Sequence, residues 1–385
     1  MRGLAALYVV MDHASTYGNT FEVVSVPRTP VDVLRFVLQF GHFAVVVFIV
    51  LSGYVLMLPV LRTPDLRLPR GFLDFLKRRS RRIIPPYYAS LALYILMTYV
   101  LARLAAHRYR YEFIFSDWLH ATPFTKTNIL VHLLLIHNLF PKYAENLNGP
   151  TWTVATEFQI YLLFPTVLLV IWRRFGNVAV VAFGTALGLL PHFLLPVRLN
   201  IDEWACPWFI GLFAVGMATA VATERASEPT RRPYAWISFA MVMMATLSVV
   251  VSYLFLKNLG AILLVVPDLF IGLAASFLIQ SCHNSIITGS TAAGRFSPLR
   301  ILTLRPILNL GAISYSLYLT HLTGLDMTVY ALHRLANHRH WMIVAQIVIG
   351  TIVSIGLAIL FHLVIERRFL SSHLRVAENV KVGIP

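Results

Sequence analysis

The chain is poor in charge. Of its 385 residues only 13% are Asp, Glu, Lys or Arg, against 58% apolar. A soluble domain carries roughly 25% charged residues, so a soluble globular class is excluded. Acidic residues are scarcest: 17 Asp and Glu face 32 Lys and Arg, for a net charge of +15. That balance would suit nucleic acid, but the basic residues fall in short clusters between apolar segments, which is the pattern of membrane topology. Cysteine is nearly absent. Cys206 and Cys282 have no metal-ligand or disulfide spacing, and the topology below puts them near opposite faces, so no bond between them is expected. Internal repeats and low-complexity tracts are missing, and no appended soluble domain is expected. His333, His338 and His340 match no common zinc spacing and read as a solvated loop.

What is present is apolar sequence in membrane-length pieces. About ten stretches approach the length of a transmembrane helix: 2–17, 38–61, 84–101, 151–172, 177–195, 204–223, 234–256, 260–280, 307–331 and 341–364. The expected fold is an all-α polytopic membrane protein. Lys and Arg concentrate in the segments that an N-in, C-in orientation puts in the cytoplasm, most densely over 62–82. Residues 1–370 then form one membrane domain and 371–385 a cytoplasmic tail. Residues 128–140 are apolar but too short to span, and read as re-entrant or interfacial. The first stretch lacks a small-residue cleavage site, so no cleavable signal peptide is expected. Met1 abuts that stretch, so a start upstream, or a Met internal to a longer chain, is expected.

Ionisable groups inside such stretches are costly and read first as functional. Arg2 and His13 are eleven residues apart, close to three helical turns, so they share a face with about 16 Å of rise between them. His13 reads as a base or proton shuttle, or else as a histidine satisfied by a backbone carbonyl with Arg2 a topology charge. Asp12 points about 100° away and is not automatically its partner. In RRSRRIIPP, 78–86, charge alone reads as a membrane anchor. Arg79 and Arg82, one turn apart, can also converge two guanidinium forks on a polyanion such as the phosphates of coenzyme A. Pro85 and Pro86 then fix how the next span leaves the interface.

Glu157 lies about six residues inside the end of its span, with Gln159 and Tyr161 nearby. A carboxylate at that depth needs a partner or a cavity; it could hold an acceptor, orient a histidine, or make a structural interhelix bond. Ser314, Tyr315, Ser316, Tyr318 and His321 make one helix unusually polar; most of them suit interhelix packing, and His321 approaches His13 in depth. Asp268 is a further mid-span candidate, with a local helix break suggested by Pro267. Ser52 and Gly53 in FIVLSGY read as small residues for close helix approach.

These segments together resemble the acyltransferase family 3 membrane proteins. The arginine, ten residues, histidine pattern falls on Arg2 and His13. Phe48 to Tyr54 resembles the family's second-span motif, and Arg78 to Pro85 its basic run followed by proline. Trp152 to Phe164 resembles its WSLSxEEQFYLLF segment with Glu157 on the first acid, and Ser314 to His321 resembles SYSLYLxH. Ile365-Glu366-Arg367 resembles the closing segment after the last span. The matches run in family order over nearly the whole chain. Phe158 stands where a second acid is frequent, Arg368 stands where proline is usual, and the residues expected before Arg2 are missing.

The resemblance implies a stand-alone O-acyltransferase of the cell inner membrane. It would move an acyl group, usually acetyl from cytoplasmic acetyl-CoA, to a hydroxyl of a glycan, lipid-linked saccharide or small molecule. No tightly bound cofactor, metal or nucleic acid is implied, and acyl-CoA is the donor substrate. His13 would be base or transient acyl carrier and Glu157 would orient it or bind acceptor. Arg2, Arg79 and Arg82 would hold the donor, with Tyr161, Ser314, Tyr315 and His321 as substrate-binding residues. The other class left open is a transporter or flippase of a glycan or lipid-linked intermediate. Such a protein would show paired repeats and matched broken spans, which the sequence lacks.

Overall fold

A helix that is apolar on every side must be surrounded by protein or by lipid. Both solutions occur. The computed structural model describes residues 1–16, 27–108, 125–194, 204–226, 234–255, 263–288, 298–332 and 339–370, and its elements are all helical. They are α1 (Arg2–Thr16), α2 (Pro30–Leu38), α3 (Gly41–Leu61), α4 (Gly71–Arg108), α5 (Lys126–Leu133), α6 (Pro141–Ala144), α7 (Trp152–Leu163), α8 (Leu169–Leu194), α9 (Phe209–Glu224), α10 (Tyr234–Phe255), α11 (Val265–Ile287), α12 (Pro298–Leu302), α13 (Arg305–Ala312), α14 (Ser314–Leu332), α15 (Arg339–Ala345) and α16 (Thr351–Val364). π-Helical turns at Phe164–Leu168 and Gln346–Gly350 join α7 to α8 and α15 to α16.

The centre of the bundle is α3 against α9. Both are apolar all round, and most of their residues are buried. In a membrane, helices gain little from apolar burial against each other, so close backbone contact carries the packing. Gly53 of α3 lies on the Phe213 carbonyl of α9, and Gly216 of α9 lies on the Val50 carbonyl of α3; a Cβ at either would overlap that backbone. The expected role of Gly53 in close approach is therefore met. At the periphery, α10 presents Trp236, Phe239, Leu247 and Val250 outward. Hydrocarbon is the solvent that face suits.

Six helical runs among the described residues are long and apolar enough to cross a membrane: Pro30–Leu61, Gly71–Leu104, Gly149–Leu194, Tyr234–Ser252, Val265–Ile287 and Trp341–Val364. The protein is thus a polytopic helical membrane protein, but about ten spans are not reached by length and composition. Expected spans 2–17 and 204–223 are the shorter α1 and α9, of 15 and 16 residues. Span 307–331 divides into α13 and α14 near Ile313. Spans 151–172 and 177–195 lie in one run of 46 residues, Gly149–Leu194. At 1.5 Å per residue that run would be about 69 Å, more than twice the hydrocarbon core. Gly176, at φ 82°, breaks it in two.

Two further expectations, both about prolines, are corrected. Pro85 and Pro86 do not mark the start of a span: α4 begins at Gly71 and runs through them for 38 residues, so the basic run lies on the same helix as the apolar segment. Pro267 does not break a helix at mid-span, since α11 starts at Val265 and proline is tolerated in a first turn. Asp268 is accordingly at a helix start. Cys206 and Cys282 form no disulfide with each other, as expected. Within 128–140, α5 is only eight residues long. It is pinned to α4 where the Tyr87 hydroxyl donates to the His132 carbonyl at 3.1 Å, and the turn that follows it is pinned to α7 where Gln159 donates to the Leu135 carbonyl at 3.0 Å. Residues 371–385 and the side chains of His333, His338 and His340 lie outside the described residues.

Gly53→Leu should force α3 and α9 apart and destabilise the bundle by about 3 kcal/mol. Thermal unfolding of the detergent-solubilised variant measures this; an unchanged midpoint would mean that the two backbones are free to separate.

Candidate active site

Residues of α1, α3, α4, α7, α13 and α14 line a cleft that is partly open to the outside of the bundle. Its wall includes Arg2, Arg79, Arg82, Glu157, Tyr161, Ser314 and Tyr315, all expected site residues, together with Thr153, Tyr318 and Glu366. Helical period explains the choice of arginines. Arg79 and Arg82 are three residues apart and half-buried on one face of α4, while Arg78 and Arg81 between and beside them are exposed. Arg78 pairs instead with Asp74, one turn back on its own helix. Arg79 lies over the rings of Phe75 and Tyr161, each centroid 5.9 Å away, which suits a planar guanidinium.

Two residues of that wall are joined by the buried Ser52 of α3. Arg2 Nη2 donates to Ser52 Oγ at 3.0 Å, and Ser52 Oγ donates to Glu157 Oε1 at 2.5 Å. The Tyr161 hydroxyl, one turn along α7, donates to the same Glu157 oxygen. Ser52 was expected only to permit close packing; the structure makes it the link between the cation of α1 and the anion of α7. Gln159, expected beside Glu157, points away and pairs with Asn138 at 2.8 Å.

The second carboxylate of the cleft, Glu366, accepts from Ser316 Oγ at 2.5 Å and from His362 Nδ1 at 2.9 Å. Both lining carboxylates are therefore engaged by donors within the protein. The guanidiniums are not matched in the same way. Among the described residues neither Arg79 nor Arg82 has an ion-pair partner, and Arg2 Nε is buried with no hydrogen-bond partner. Buried donors are rarely left unpaired, so this cleft suits a ligand with several anionic oxygens.

His13 and His321 are not on the cleft wall. They sit at the other end of α1 and pair with each other, His13 Nδ1 to His321 Nε2 at 2.8 Å. His321 Nδ1 lies 2.7 Å from the Tyr318 carbonyl. Tyr318 thus belongs to both places. Its ring lines the cleft, its hydroxyl donates to the Pro150 carbonyl at 2.8 Å, and its backbone holds His321. Glu157 does not orient His13: its bonded partners are Ser52 and Tyr161. Asp12 lies beside Gly41 of α3. Next to it, His42 Nε2 is 2.9 Å from Asp268, which also accepts from Trp208 Nε1 at 2.8 Å. Asp268 therefore has structural partners and no place on the cleft wall.

Ser52, Thr153, Tyr318 and Glu366 carry no weight as isolated residues in the sequence. All four lie inside family-like segments, FIVLSGY, Trp152 to Phe164, SYSLYLTH and IER, and that is the signal that singles them out.

A family model described as an acyltransferase domain matches residues 1–363. YrhL of Bacillus subtilis (strain 168), named as a peptidoglycan O-acetyltransferase, is 23% identical over 332 residues, which cover 82% of this chain and 49% of that protein. An O-acetyl transferase of Shigella phage Sf6 is 28% identical over 128 residues, 32% of this chain and 33% of the phage protein. The chain spans about half the length of the first and about a third of the second. No solved structure matches it.

Ser52→Ala should leave Arg2 and Glu157 each short of a bond and lower stability by about 1–3 kcal/mol. Unfolding of the variant in detergent tests this, and a parental midpoint would show that the shared oxygen holds nothing together.

Proposed function

The chain belongs to the acyltransferase-domain family, and on that premise we propose that it is an O-acetyltransferase moving acetyl from acyl-CoA to a hydroxyl of a glycan or related acceptor. The observation that carries the donor assignment is the cleft, where three guanidiniums are among the lining groups and the carboxylates are already engaged. Coenzyme A offers a pyrophosphate and a 3′-phosphate, and Arg79 and Arg82 can each present a fork to them. Arg2 Nε adds a third donor. The pantetheine arm runs past Tyr318 towards His13.

In this reading His13 is the general base. As the acceptor oxygen attacks the thioester carbonyl carbon, its proton passes to His13 Nε2. The C–S bond then breaks, and the departing thiolate takes the proton back from the imidazolium. Acyl-CoA is a substrate, and no resident cofactor or metal is invoked. The name of the Bacillus relative, a peptidoglycan O-acetyltransferase, favours a cell-surface glycan as acceptor. The protein then sits in the plasma (inner) membrane with both ends of the membrane domain, 1–370, on the cytoplasmic side, where acyl-CoA is confined. The basic run at the start of α4 supports this orientation. Splitting Gly149–Leu194 at Gly176 and adding α1, α9 and α14 to the six long runs brings the traverses to about ten.

Two measurements test this reading on purified protein in lipid nanodiscs with labelled acetyl-CoA. His13→Ala should abolish transfer while the protein still inserts; full activity would end the mechanism. Arg82→Ala should raise the KM for acetyl-CoA about 10-fold or more, as loss of a charge-assisted bond predicts, with little change in the KM for acceptor. An unchanged donor KM would make the basic run an anchor only.

A further inference from the structure

His13 lacks the carboxylate that commonly orients a histidine base. Glu157 is bonded elsewhere, and Asp12 points to α3. What meets His13 is a second imidazole, 308 positions away in the chain. The geometry of that contact fixes where every proton must be.

A backbone carbonyl only accepts hydrogen bonds. His321 Nδ1, 2.7 Å from the Tyr318 carbonyl, must therefore carry a hydrogen. In the neutral ring the other nitrogen, Nε2, then holds a lone pair. His13 Nδ1 lies 2.8 Å from that nitrogen, so it must be the donor. Neutral His13 consequently carries its own lone pair on Nε2. Among the described residues no group bonds that atom, and the residue is only half-buried.

The ring planes support a directed bond. They differ by 4°, and the centroids are 5.0 Å apart. Face-to-face rings could not combine that separation with an N···N distance of 2.8 Å. The rings instead lie end to end in a common plane, with the bond along their axis. His321 is itself fully buried on α14, and its carbonyl accepts from Ser354 Oγ of α16 at 3.2 Å. Both the ring and the backbone of His321 are thus held from two sides.

We propose that His321 is the positioning residue of the base: it holds His13 in the tautomer that presents the Nε2 lone pair and shares the charge when His13 takes up the acceptor proton. His321 was expected to bind substrate; its partners place it behind His13, not in front of it. The proposal rests on the acyl-transfer reading above. A neutral orienter also has a physical logic at this depth. A carboxylate here would be a buried anion whenever His13 is neutral, and an unpaired buried anion costs several kcal/mol. An imidazole orients the base without adding a permanent charge. In the reaction, the acceptor proton arrives at His13 Nε2, the imidazolium keeps its Nδ1–H bond to His321, and the proton leaves to the thiolate. No net proton remains on the pair.

The test is a series at His321, read by kcat, by the KM for acetyl-CoA and by the pH profile of kcat/KM, in nanodiscs. His321→Leu, which fills the space without an acceptor, should lower kcat about 100-fold or more and leave the donor KM unchanged. His321→Gln, whose amide oxygen can stand where Nε2 stood, should recover most of that loss. His321→Glu, an anionic acceptor, should move the acid limb of the profile upward by about one pH unit or more. Equal losses in Leu and Gln with an unmoved acid limb in Glu would overturn the proposal, as would a change confined to the donor KM. If a variant does not fold, nitrogen-15 NMR of histidine-labelled parent protein, assigned by loss of the signal in His13→Gln, reads the tautomer directly. Hydrogen on His13 Nδ1 is expected, and hydrogen on Nε2 alone would overturn it. Activity in His13→Gln would sink the acyl-transfer mechanism itself. Inactive His13 variants beside a fully active His321→Leu would sink only the positioning role.

Discussion

The oxygen of Ser52 stands between a guanidinium and a carboxylate, and the shape of the cleft depends on it. Through that atom the start of α1 is tied to the middle of α3 and of α7. The next residue, Gly53, lets α3 lie against the α9 backbone. A bulkier residue there would move Ser52 with the helix axis. Misplacing that one hydroxyl would leave two charges, Arg2 and Glu157, each short of a partner.

From that hub the polar groups divide along α1. At the Arg2 end three guanidiniums meet two carboxylates that are already bonded within the protein. At the other end two imidazoles meet each other with no carboxylate between them. Strong positive field at one end suits a polyanionic donor, and a neutral base at the other suits proton transfer from an alcohol. Tyr318 connects the two, with its ring on the cleft wall and its carbonyl on His321. The remaining ion pair of this region, His42 with Asp268, is closed off by Trp208 and serves the packing of α3, α9 and α11.

Much of the chemistry was legible from periodicity within single helices. Arg79 and Arg82 fall on one face of α4, and Glu157 and Tyr161 fall one turn apart on α7; the structure puts all four on the cleft wall. The spacing of Arg2 and His13 correctly put them at two depths of one helix. The span count was less legible. Apolar length does not distinguish a helix that traverses from one that is short, as α9 is, or divided, as 307–331 is.

The sequence by itself determined that this is a helical membrane protein, where its basic and acidic groups lie along each helix, and which of them share a face. Those properties follow from composition and from the 3.6-residue period, which are local. Only the tertiary structure decided that Ser52 joins Arg2 to Glu157, that Glu366 meets Ser316 and His362, that Asp268 belongs to His42, and that His13 leans on His321 and not on Glu157. Most of these contacts join different helices, set by which backbones can approach most closely. Periodicity says where a side chain points from its own axis, and nothing about which axis stands opposite.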